Sequence, residues 1–168
     1  MGDAERAWQL FAMLDPIRHG DSAEHVAVYK TEPYVVAGDV YAIAPHVGRG
    51  GWSWYTGSAG WMYQLLVEWL LGLQRSGNQL SLRALLPRDW PGFELHYRFR
   101  STTYEIAVRS AAGTAAPVVT VDGSTSSCDR VALVDDGAVH HVLLTVPRTA
   151  SPPATTTNPR GTMPCNSE

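Results

Sequence analysis

Gly48–Leu73 reads GRGGWSWYTGSAGWMYQLLVEWLLGL, and its second half carries a helical period. Met62, Leu65, Leu66, Trp69, Leu70 and Leu73 recur at spacings of three and four, which predicts one helix from about Ser58 to Leu73. The stripe is wide, as expected of a helix packed inside a helical array. Trp52, Trp54 and Trp61, joined by Tyr55 and Tyr63, crowd the entry to that helix. Flat rings with a polar edge suit the CH-rich faces of sugars, and they equally suit a core cluster. Thr56-Gly57-Ser58-Ala59-Gly60 opens the helix. Its first turn offers unpaired N–H groups, a positive partial charge and small residues that let an anion reach the backbone. The plainer reading is an ordinary N-cap at Thr56 or Ser58. Arg49 is a candidate partner for a phosphate or carboxylate, or a solvated loop charge.

Upstream, Ala7, Leu10, Phe11 and Leu14 predict a first helix. Asp3 is placed to cap it, and Asp15-Pro16 to stop it. A short second helix is expected near Ser22–Ala27. Thr31–Gly51, TEPYVVAGDVYAIAPHVGRGG, is irregular yet too apolar for an idle loop. Within it Glu32, Tyr34 and Asp39 are candidate sugar contacts; the two carboxylates could instead cap the loop's own N–H groups. His46 reads as structural.

Downstream of Gly77 the period changes to two. Phe93, Leu95, Tyr97 and Phe99 alternate with Glu94, His96, Arg98 and Arg100. Further strands are expected at Leu80–Leu82, Thr103–Ser110, Pro117–Val121, Arg130–Leu133 and Val139–Val146. Asp122-Gly123 and Asp136-Gly137 mark turns between them. Together these make a small antiparallel β unit. From Arg148 the chain is rich in Pro, Thr and Ser and is expected to be a disordered tail.

Composition narrows the function. Lys and Arg number 13 against 16 Asp and Glu, a net charge of −3, and they are scattered, which disfavours nucleic-acid binding. No apolar run approaches the roughly 20 residues that span a bilayer. The start MGDAERAW lacks a signal-peptide core, so a cytoplasmic location is expected. Cys128 and Cys165 sit in no metal spacing and read as ordinary thiols. His140 and His141 point to opposite faces of a strand, which disfavours chelation of one metal ion. Nucleotide-loop, zinc-protease and serine-hydrolase signatures are absent.

Three long strings carry a resemblance: EPYVVAGDVYAIAPHVGRGGWSWYTGSAGWMYQLLVEWLLGL (Glu32–Leu73), LPRDWPGFELHYRFRSTTYEIAV (Leu86–Val108) and the VDG and VALVDDGAVHHV segments. The chain from Gly2 to Val146 resembles the C-terminal end of glycoside hydrolase family 94, the cellobiose- and chitobiose-phosphorylase-like enzymes. It is most similar to the phosphorylase-like C-terminal region found in cyclic β-1,2-glucan synthases. The resemblance implies an α+β chain: terminal helices of an (α/α)6 barrel with an active-site rim (1–77), a small antiparallel β-sandwich (78–147) and the tail (148–168). It implies phosphate contacts at Thr56 and Gly57, and sugar contacts at Glu32, Tyr34 and Asp39. Arg49 and Trp54 join the substrate-binding set as neighbours on the same rim. Inorganic phosphate is the implied co-substrate, with no cofactor and no metal.

The family's general-acid Asp, and a His and an Arg that bind phosphate, belong upstream of the matched region. None of Asp3, Asp15, Asp21 or His19 stands at those places. The expectation is therefore a C-terminal fragment of a phosphorylase or glucan synthase, with no catalytic residue of its own and inactive alone. Its partners would be a β-glucan oligosaccharide, phosphate and the upstream part of the barrel. In a synthase-type parent, inner-membrane anchoring would lie elsewhere. A stand-alone carbohydrate-binding module and a non-functional remnant are the competing readings.

Overall fold

The computed structural model describes residues 3–32, 34–54, 57–126 and 129–148. Thr56, Cys128, Cys165 and nearly all of the expected tail lie outside the described residues. Among the described residues four α-helices, α1 (Ala4–Leu14), α2 (Pro16–His19), α3 (Ala23–Tyr29) and α4 (Ser58–Gln64), precede eight strands. These are β1 (Leu73–Ser76), β2 (Gln79–Leu82), β3 (Gly92–Phe99), β4 (Thr102–Ala111), β5 (Val118–Val121), β6 (Ser124–Thr125), β7 (Arg130–Ala132) and β8 (Val139–Pro147).

Local chemistry explains the helix ends. Asp3 Oδ1 accepts from Arg6 N–H at 3.0 Å, the cap read from the sequence. Asp15 ends α1 and caps α2, accepting from Ile17 N–H at 3.0 Å. Ser22 caps α3 through His25 N–H at 3.1 Å. The four-residue helix after Asp15 was not anticipated; proline at its first position fits, because its missing N–H is not needed there.

The long helix differs from expectation. It is α-helical only to Gln64, then continues as a π-helical stretch, Leu65–Leu70. It stops at Gly72, whose φ of 76° turns the chain into β1. Leu73 is thus a strand residue, and the β region begins at 73 rather than 78. A Cβ on Gly72 would collide with the backbone of Arg83, whose N–H bonds Gly72 O at 2.9 Å. Gly72→Ala is expected to cost about 1–3 kcal/mol or more, from left-handed strain plus displaced backbone. Urea unfolding at constant slope would measure it; an unchanged midpoint would refute the close packing.

The β region is two sheets. One has the order β1-β2-β7, the other β3-β4-β8-β5-β6. Most pairs are antiparallel, but β4 and β8 run parallel from Thr103–Val139 to Ala111–Pro147. The all-antiparallel expectation is corrected here. Strand direction depends on which edge a distant strand joins, and side-chain alternation is the same in either direction. Alternation itself is clear in β4, where Thr102, Tyr104, Ile106 and Val108 are buried between half-exposed neighbours. Tyr104, Ile106 and Val108 meet Val142 and Leu144 of β8 and Leu80, Leu82 and Val131 of the smaller sheet in one core.

The helical region is held to the sandwich by α1. Trp8 Nε1 donates to Leu85 O at 2.6 Å, and its ring lies 4.7 Å from that of Trp90. Glu5 Oε1 accepts from Arg88 N–H at 2.7 Å. Of the anticipated stripe only Leu70 and Leu73 are buried, while Trp69 is 62% and Trp61 75% exposed. No helix among the described residues is long and apolar enough to cross a membrane.

Candidate sugar- and phosphate-facing rim

Residues 38–52 form a narrow ribbon rather than a loose loop. Val40 and Gly50 make an antiparallel bridge. Around it Gly38 N–H donates to Trp52 O at 2.6 Å, Gly51 N–H to Asp39 O at 2.9 Å and Tyr41 N–H to Arg49 O at 2.9 Å. The ribbon is tied to α3, because Gly50 N–H donates to Tyr29 O at 2.8 Å. Tyr29 is buried and stacks on His19, with ring centroids 4.4 Å apart. Its hydroxyl accepts from Ala37 N–H at 3.3 Å. A segment rich in glycine and proline is thereby given a fixed shape by backbone bonds.

Glu32 organises the end of the ribbon. Its Oε1 accepts from Trp54 Nε1–H at 2.8 Å and its Oε2 from Ser53 Oγ–H at 3.2 Å. The Trp54 bond, then a bond from Glu32's own backbone N–H, holds this carboxyl below its ordinary value, with the Ser53 bond adding less. Trp54 has a φ of 61°, unusual for a bulky residue, and the Glu32 bond fixes its ring in that conformation. The ring stays 66% exposed and meets Tyr34 edge to face, with centroids 6.3 Å apart. Tyr34 is 71% exposed. Two open aromatic faces beside a fixed carboxylate form a surface suited to a sugar ring.

The structure therefore brings Glu32, Tyr34 and Trp54 together. Asp39 braces the ribbon, its Oδ1 accepting from Trp52 N–H at 2.9 Å. Arg49 sits near the ribbon turn, exposed, with its backbone N–H on His46 O at 3.0 Å. Gly57 precedes α4 with a φ of 91°, and its carbonyl accepts from Trp61 N–H at 2.9 Å. Ser53 and Tyr29 were missed by sequence reasoning. Ser53 stands between two tryptophans with no pattern of its own, and Tyr29 lies beyond the short helix expected at Ser22–Ala27.

Asp3, Asp15 and Asp21 serve local structure. Asp3 and Asp15 cap helices, and Asp21 Oδ1 lies 2.5 Å from His25 Nδ1. His19 contacts Met13 O at 2.9 Å through Nε2. No group of three His, Cys, Asp or Glu among the described residues is arranged to hold a metal ion.

Residues 1–72 match the model of the glycosyl hydrolase 94 superfamily, catalytic domain. The chain is 45% identical over 123 residues to the cyclic beta-(1,2)-glucan synthase NdvB of Rhizobium meliloti (strain 1021), covering 73% of this chain and 4% of that protein. It is 30% identical over 112 residues to the N,N'-diacetylchitobiose phosphorylase of Vibrio proteolyticus, covering 66% of this chain and 14% of the relative. To the solabiose phosphorylase of Paenibacillus borealis it is 24% identical over 144 residues, covering 84% and 18%. The chain thus spans less than a fifth of each of these relatives.

Proposed function

Because the chain carries a C-terminal region of glycoside hydrolase family 94, we propose that it forms one wall of a glycoside-phosphorylase or cyclic β-glucan-synthase active site. Tyr34 and Trp54 present their rings to a β-glucan oligosaccharide, and Glu32 holds Trp54 in place for it. Thr56 and Gly57 meet phosphate at the start of α4, the end of the helix that carries the positive partial charge. Arg49 adds a cation to that side, and Asp39 shapes the ribbon while offering its second oxygen to a hydroxyl.

The observation that carries this reading is the Glu32–Trp54 bond, which fixes an exposed tryptophan ring. A core cluster would bury that ring; a binding rim keeps it open. The names of the relatives, a glucan synthase and phosphorylases, support sugar and phosphate as ligands.

The wall alone does no chemistry. Phosphorolysis needs a proton donor at the glycosidic oxygen, and Asp3, Asp15 and Asp21 are committed to caps and to His25, as Glu5 is to Arg88 N–H. The 168-residue chain is expected to bind gluco-oligosaccharides with quenching of tryptophan fluorescence, and to lose most of that signal in Trp54→Ala. Mixed with phosphate and a β-1,2-linked oligosaccharide or cellobiose, it is expected to release no glucose 1-phosphate. Release by the chain alone would overturn the division of labour, and oligosaccharide quenching unaffected by Trp54→Ala would overturn the rim.

A further inference from the structure

Away from the rim, the imidazole of His140 is held between two carboxylates. Its Nδ1 lies 2.7 Å from Asp122 Oδ2 and its Nε2 lies 3.1 Å from Asp136 Oδ2. The ring stacks on Tyr104, with centroids 5.2 Å apart. A neutral imidazole has one N–H and one lone pair, so it can serve only one of these carboxylates. The imidazolium donates to both.

The two acids sit on different connections. Asp122 belongs to the β5–β6 turn and also accepts from His141 N–H at 2.8 Å. Asp136 belongs to the β7–β8 link, which carries the chain from the smaller sheet to the larger. Its Oδ1 accepts from Ala138 N–H at 2.9 Å and from Thr102 Oγ1–H at 3.0 Å. Thr102 is fully buried, and its hydroxyl accepts from Asp136 N–H at 2.9 Å and Gly137 N–H at 3.0 Å. Other charged groups nearby are occupied elsewhere. Asp135 bonds Ser101 and lies 3.5 Å from Arg100. Glu105, on the opposite face of β4, lies 3.1 Å from His141. Tyr104 accepts from Val134 N–H at 2.8 Å.

We infer that His140 is the protonated pin of a pH-dependent clasp that joins the β5–β6 turn and the β7–β8 crossover to the larger sheet. The clasp is closed with the imidazolium and loosens when it loses a proton. The Asp122 bond raises the pKa of His140 more than partial burial lowers it, and Asp136 adds to the rise. Asp122 and Asp136 are held below their ordinary values, Asp122 chiefly by the His140 bond and Asp136 chiefly by Ala138 N–H. The sign follows by linkage. Stability from His140 is fully present below its ordinary value of about 6.5 and is lost as pH rises through the raised one. Stability from the two acids is present above about 3.9 and is lost as pH falls through their lowered values. The clasp is therefore strongest in mildly acidic solution.

NMR titration of the histidine rings in the full chain tests it. His140 is expected to titrate above the ordinary imidazole value of about 6.5. Melting temperature is expected to fall between pH 6 and pH 9, with faster amide exchange at Asp136–Ala138, and His140→Gln is expected to flatten that fall. Asp136→Asn is expected to lower the His140 midpoint. A His140 midpoint at or below the ordinary imidazole value of about 6.5 would overturn the clasp, as would an equal pH slope in His140→Gln. Should that variant fail to fold, an unchanged His140 midpoint in Asp136→Asn would overturn it on its own.

Discussion

Ile106→Ala is expected to lower the unfolding free energy by about 2–5 kcal/mol, from lost transfer energy plus the cavity left behind. Ile106 is 1% exposed and lies between Leu95 of β3 and Val142 of β8 in the register of the larger sheet. It stands at the centre of the one core that spans both sheets, so its neighbours cannot all collapse into the space. Against a typical total of about 5–15 kcal/mol this is a large loss. Trp61→Ala removes a bigger side chain, yet that ring is 75% exposed. It is expected to change stability by no more than about 0.5 kcal/mol. Urea denaturation followed by circular dichroism separates the two. A loss below about 1 kcal/mol for Ile106→Ala would show that the sandwich is not the cooperative unit of the fold.

Glu32→Ala is expected to weaken oligosaccharide binding about tenfold while leaving the sandwich transition in place, because a binder that must first order its own side chain loses affinity. The carboxylate joins two groups 21 and 22 residues away in sequence, Ser53 and Trp54. Both donors reach water once it is gone, so folding suffers little. Trp54, however, loses the bond that fixes its ring at a positive φ. Glu32→Gln keeps one acceptor and is expected to fall between wild type and Glu32→Ala. Acid should imitate the mutation: with its pKa lowered, Glu32 contributes its bonds above the ordinary carboxylate value and loses them as pH falls through the folded one. Calorimetric titration with a gluco-oligosaccharide is the measurement. Equal affinity in wild type and Glu32→Ala would remove Glu32 from the rim.

How much of this could be read from the sequence follows from the range of each interaction. The cap at Asp3 was legible because its side chain bonds an N–H three residues away, whereas Asp15 was read only as a helix stop and Ser22 only as a helix start, although both also cap. The alternation in β3 and β4 was legible because one buried face imposes a period of two. Its inward set in β3 was less complete than read, since only Phe99 is fully buried and Phe93, Leu95 and Tyr97 are half-buried against the core. The long helix was overextended: the apolar pattern runs on through Leu73, but Gly72 turns the backbone and puts Leu73, the last of the six spaced apolar residues, in β1.

The rim divides in the same way. Sequence placed aromatic rings, carboxylates and glycines in one region, and its long strings pointed to the family that the comparisons support. It left open whether those rings were core or surface and whether Glu32 and Asp39 faced a ligand or the loop. Local sequence determined the caps, the alternating strands and the chemical inventory of the rim, because those depend on neighbours a few residues apart. Tertiary structure alone decided that β4 and β8 run parallel, that Glu32 reaches across to fix Trp54, and that Asp122 and Asp136 close on His140. Those contacts join residues brought together only when the chain folds back on itself, and no periodicity encodes which distant partner a side chain will meet.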